Sequence, residues 1–145
     1  MITRFALFEG HVKPADVAAF RAAVLERLVP VWKQFPNNSA VRVMFSEDRD
    51  EGAPEFPLIL AITYPDHAAM ASALESPARN ESKGITGEIV DQYFEGRIHH
   101  HVTEMNEFTA LRLTFIANFI RSSTLLGLII YALNMNANRL FLVAW

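Results

Sequence analysis

The chain has no cysteine. Disulfides and thiolate metal ligands are therefore excluded from its stability and its chemistry. After Glu107 there is also no acid, no lysine and no histidine; Phe108 to Trp145 carries only Arg112, Arg121 and Arg139 as charged side chains. No glycine-rich phosphate loop follows a strand, and no nucleophile elbow is present. The acidic stretch from Glu47 to Glu55 lacks the spacing of a calcium loop and reads as a solvated hairpin. Met1-Ile2-Thr3-Arg4-Phe5 lacks a long apolar run behind a basic patch, so the reading is cytoplasmic rather than secreted.

What is present points to one domain with an appendage. The 145 residues are 51% hydrophobic, enough for a core without covalent staples. The net charge of −3 conceals an asymmetry: ten basic against sixteen acidic residues up to Glu107, then three arginines alone. An acidic main body argues against nucleic acid as a partner, because such binding rests on phosphate neutralisation. The break sets the expected boundary, a domain over 1–107 and an apolar extension over 108–145.

Periodicity gives the order of elements. Ile2 to Glu9 alternates as a strand, with Phe5 and Leu7 on one side and Arg4, Ala6 and Phe8 on the other. From Val17 the apolar positions Phe20, Val24, Leu28 and Val31 recur at helical spacing, behind Pro14 and Asp16 at the helix start. Pro30 predicts a kink or an end. Ala40 to Ser46 and Phe56 to Tyr64 read as strands. Asp66 reads as a helix cap, and Ser76-Pro77 as a second. Gly84 and Gly87 predict an interruption, Gly96 a helix end, and Arg97 to Met105 a fourth strand. The result is α+β: a ferredoxin-like βαββαβ chain whose antiparallel sheet carries two helices on one face.

Certain local sequences add a resemblance. They are Lys13-Pro14 ahead of a helix ending Leu28-Val29-Pro30-Val31-Trp32, then Phe35-Pro36-Asn37, Thr63-Tyr64-Pro65-Asp66 and Ala73-Leu74-Glu75-Ser76-Pro77-Ala78. Over roughly residues 2–107 the chain resembles the dimeric α+β barrel superfamily, in its EthD-like and antibiotic-biosynthesis-monooxygenase-like groups. The resemblance implies a homodimer whose two sheets meet face to face, with a cavity in or beside the barrel. Members include cofactor-free monooxygenases of quinols, polyketide cyclases, lactone isomerases and haem enzymes. No catalytic motif or cofactor signature carries over, so no cofactor is assigned.

Three of the five histidines fall in one stretch, Arg97-Ile98-His99-His100-His101-Val102-Thr103. Alternate strand residues share a face. Placing Phe5, Leu7, Val41, Val43, Phe45, Leu58, Leu60, Ile62, Ile98 and Val102 toward the helices puts His100 there too. The opposite face then collects Arg4, Phe8, Arg42, Met44, Ile59, Thr63, Arg97, His99, His101 and Thr103. Apolar walls with a few placed polar groups suit a small-molecule pocket. On this reading His99 and His101 are candidate bases. Arg4, Arg42 and Arg97 hold an anion, with Phe8, Met44, Thr63 and Thr103 around the substrate. Tyr64 and Tyr93 are secondary donors, His11 stands at the mouth, and His100 is read as a satisfied, semi-buried histidine. The expected function is a small cofactor-independent monooxygenase, cyclase or isomerase acting on an aromatic, quinol or polyketide-like molecule. A non-catalytic binding module of the same fold is the alternative. His-x-His with Glu9 or His11 also raises a metal site, which needs a third ligand.

For the extension, a membrane span needs about 20 largely apolar residues. An arginine at its centre costs ~2.5–3.5 kcal/mol, and Arg121 falls there. A packed helix is therefore favoured over a tail anchor, and a segment with no selected role is the third reading.

Overall fold

The computed structural model describes residues 1–109, of which Met1–Asn106 form one compact unit. The expectations for the extension beyond them lie outside the described residues. Among the described residues, no helix is long and apolar enough to cross a membrane.

Four strands, β1 (Ile2–Val12), β2 (Ala40–Phe45), β3 (Leu58–Tyr64) and β4 (Phe94–Glu104), form one antiparallel sheet in the order β2-β3-β1-β4. The helical segments are α1 (Val17–Ala23), α2 (Val29–Trp32), α3 (His67–Leu74) and α4 (Pro77–Tyr93). This is the expected ferredoxin-like arrangement. Both predicted caps form: the Asp66 carboxylate accepts the Ala69 N–H at 2.8 Å, and Ser76 Oγ accepts that of Arg79 at 3.2 Å. Pro77 follows in the first turn, where its missing N–H costs nothing.

Two local expectations are corrected and one is narrowed. Of the kink or end expected at Pro30, the helix end does not occur; Val24–Leu28 forms a wide π-helical turn that leads into α2. A proline ring collides with the carbonyl four residues back, and a wider turn is one way to make room for it. Gly84 and Gly87 do not interrupt α4, which runs unbroken for 17 residues. The glycine cost of about 1 kcal/mol each is offset where Ser82 and Ile89 are buried. Gly96 ends no helix. It lies within β4, directly opposite Gly10 of β1.

The register corrects the face assignment of β1. Phe8 pairs with Leu58 and Ile98, Ala6 with Leu60 and His100, and Arg4 with Ile62 and Val102. Ile2, Ala6 and Phe8 join the core formed by Phe20, Val24, Leu28, Trp32 and Phe35 with Leu58, Leu60 and Ile62. So Arg4 and Phe8 face the helices. Phe5 and Leu7 lie on the open face, opposite His101 and His99. Both sets of alternate residues in β1 are apolar enough to be core, and only the pairing with β3 chooses between them. Trp32 Nε1 donates to Ser82 Oγ at 2.9 Å in the buried layer, tying α2 to α4.

Candidate functional site

A cavity of about 320 Å³ lies between the helix-side face of the sheet and α4. That is near the low end of small-molecule pockets, which span ~300–1,000 Å³. Phe8, Trp32, Leu60, Ile62, Val90 and Ile98 give it apolar walls, and Arg4, Tyr64, Arg79 and His100 supply its polar groups. Ser82, Lys83 and Thr86 of α4 also line it; among the described residues no acidic side chain does.

Each polar group is placed by its element. Arg4 is opposite Ile62 and Val102, which makes it the diagonal neighbour of Tyr64 and His100 on one face. Arg79 comes from the first turn of α4, three residues after the Ser76 cap. Tyr64 ends β3, fully buried, and among the described residues its hydroxyl has no hydrogen-bond partner. Burial raises the Tyr64 pKa, while the Arg4 and Arg79 charges pull it back. Partial burial, then the charges of Arg4, Arg79 and His99, push His100 below the ordinary imidazole value of 6.5. His100 is solvent-accessible, so it stands at the mouth and is uncharged at neutral pH. A neutral imidazole accepts a proton, and two guanidinium groups beside it stabilise the anion left behind.

The sequence-derived residues therefore separate. Arg4 and Phe8 line the cavity. Arg42, Met44, Thr63, Arg97, His99, His101 and Thr103 lie on the opposite face of the sheet. There His99 Nε2 lies 2.6 Å from Glu9 Oε2, and Arg97 donates to the same oxygen at 3.1 Å. These bonds, Arg97 first, hold the Glu9 carboxyl below its usual range. Thr63 shares a 3.0 Å hydrogen bond with Thr3 and accepts another from Arg42 at 3.2 Å. Tyr93 and His11 do not line the cavity; His11 lies 3.7 Å from Glu55. Among the described residues no three His, Asp or Glu side chains converge as a metal site requires. The sequence pattern alone does not mark Arg79, Lys83 or His100 as site residues, though all three line the cavity. The signal for His100 was its parity with Ile98; for Arg79 it was the position just inside a capped helix.

No family model and no curated relative matches the chain. Solved structures do. An ethyl tert-butyl ether degradation (EthD) family protein from Bacillus halodurans superposes with a TM-score of 0.56 at 21% identity, covering 73% of this chain and 99% of its own. A dimeric ferredoxin-like protein of unknown function from Bacteroides fragilis gives 0.52 at 12% identity, covering 72% and 95%. An antibiotic biosynthesis monooxygenase gives 0.50 at 15%, covering 74% and 100%. The chain shares the ferredoxin-like fold of these proteins. The similarity spans 95–100% of these proteins and 72–74% of this chain.

Proposed function

We propose that the chain is a small cofactor-independent enzyme of the monooxygenase, cyclase or isomerase type. It acts on an aromatic, quinol or polyketide-like molecule held between the sheet and α4. The observation that carries this is the placement of the His100 imidazole with two guanidinium groups and a buried phenol in one apolar cavity, where burial and the neighbouring charges favour its neutral form. His100 takes a proton from an acidic carbon or phenol of the substrate. Arg4 and Arg79 stabilise the enolate or phenolate that forms, and Trp32 and Phe8 hold the ring. The open face of the sheet meets a second copy, as the description of the Bacteroides fragilis protein as dimeric supports. His99 and His101 belong to that face.

The proton-abstraction step is testable without knowing the natural substrate. 2-Tetralone, a bicyclic ketone with an acidic C–H, exchanges that hydrogen for deuterium when a base forms its enolate. The protein is expected to accelerate this exchange, read by proton NMR, and His100→Gln to slow it by about 10²–10⁴-fold. Equal rates for the two proteins would refute His100 as the base. Binding of tetralone with no exchange would make the chain a binding module instead.

A further inference from the structure

We propose that the ligand of this cavity enters as an organic anion, a carboxylate on a one- or two-ring skeleton, seated between Arg4 of β1 and Arg79 of α4 with the Tyr64 hydroxyl as third donor. The inference rests on the cavity being the ligand site and adds the charge and class of what fills it.

The argument begins with how the chain distributes its acids. Arg21, Arg27, Arg49 and Arg97 each have a carboxylate partner, respectively Glu47, Glu88, Glu55 and Glu9, although their side chains are 36–72% exposed. Arg42 donates to Thr63. Arg4 and Arg79 are the less exposed case, only part-accessible to solvent, and among the described residues neither guanidinium has a hydrogen-bond or ion-pair partner. Burial lowers the pKa of both, and Arg79 is lowered further by Arg4. Two like charges, partly desolvated and unpaired, are costly to hold together.

The other donors point the same way. Tyr64 is 0% exposed and lines the same cavity, and among the described residues its hydroxyl is unpartnered. A buried, unsatisfied hydroxyl is rare enough to require an explanation. Lys83 adds a third cation to the lining. Two guanidinium forks and a phenol O–H fit the several acceptor positions of a carboxylate. Beyond that end the walls are apolar and aromatic, and the volume of about 320 Å³ suits one or two fused rings. A ligand that enters uncharged would leave the two charges uncompensated until it loses a proton.

The test compares 2-naphthoate with its uncharged methyl ester. Trp32 lines the cavity, so quenching of its fluorescence reports binding; Trp145→Phe removes the only other tryptophan. 2-Naphthoate is expected to bind about tenfold or more tightly than the ester, in keeping with a charge-assisted pair. Arg4→Met and Arg79→Met should each weaken 2-naphthoate more than the ester and so narrow that preference, and the double variant should remove it. Neither should lower the melting temperature of the free protein, because each relieves repulsion instead of breaking a pair. Equal binding of acid and ester, or a preference that survives both substitutions, would overturn the inference while leaving the cavity as a ligand site. Failure of both probes to quench Trp32 would count against the inference and the cavity together.

Discussion

His100 is accessible to water at the cavity mouth, yet it feels two guanidinium charges and partial burial, and its folded pKa lies below 6.5. The unfolded chain therefore binds this proton more readily than the folded one. Stability from this group is complete above pH 6.5 and falls as acid titrates the unfolded imidazole, down to the lowered folded pKa. Glu9 acts in the same direction at lower pH, since its depressed pKa stabilises the fold above about 4.5 and is lost below. Thermal melts from pH 7.5 to 5.5 should show wild type losing stability faster than His100→Gln. Parallel curves would mean that His100 does not carry the effect. This residue was also the hardest to see in the sequence. Ile98 and Val102 flank it at alternate positions, so its face looked like core, and a core histidine is usually a satisfied one. Its meaning depends on Arg4 and Arg79, which come from a strand and a helix far away in sequence. Arg4 is legible as an anion-binding group, but alternation alone does not place it on the helix-side face.

Strands β1 and β4 pair over eleven residues, from Ile2↔Glu104 to Val12↔Phe94, and Gly10 opposite Gly96 makes the last part of that pairing sterically feasible. A Cβ on Gly96 would overlap the Glu9 carbonyl oxygen and lie 2.7 Å from both Gly10 Cα and the Phe94 ring. Backbone atoms cannot yield as a flexible side chain can. Gly96→Ala should therefore cost about 1–3 kcal/mol in urea unfolding. Gly84→Ala meets nothing within 4 Å in α4 and should gain roughly 0.5–1 kcal/mol. If the two variants were equally stable, the strands would not approach this closely. The same elements show what sequence pattern can and cannot carry. Helix caps at Asp66 and Ser76 depend on local chemistry, and both were readable. So was the order of strands and helices, because the period changes at Val17 and again at Ala40. The continuation of α4 through two glycines was not, since it depends on what the helix packs against. Nor was the face of β1, because Phe5 with Leu7 and Ala6 with Phe8 are equally plausible as core until β3 selects one pair.

At the scale of the molecule, the helices and their core take up one face of the sheet, and the other carries Phe5, Leu7, Met44 and Ile59 at its centre. Met44 is 40% exposed, while Leu7 and Ile59, paired across β1 and β3, are half-buried. Polar groups flank this strip: Thr3 with Thr63 toward one end, and Glu9 with Arg97 and His99 toward the other. An apolar centre with a polar surround is how a subunit interface is usually built. On the homodimer reading, Leu7→Glu sets a carboxylate opposite Ile59 on one side and beside the Glu9–His99 pair on the other. It should weaken dimerisation by at least about 100-fold, the cost of burying an unpaired charge at an interface. Sedimentation equilibrium on wild type and variant measures this directly. Because Leu7 points away from the cavity, 2-naphthoate should still quench Trp32 in the resulting monomer. A wild-type protein that sediments as a monomer at every concentration would remove the homodimer, and with it the role given to His99 and His101. The helix-side cavity would remain, since every residue assigned to it belongs to a single chain.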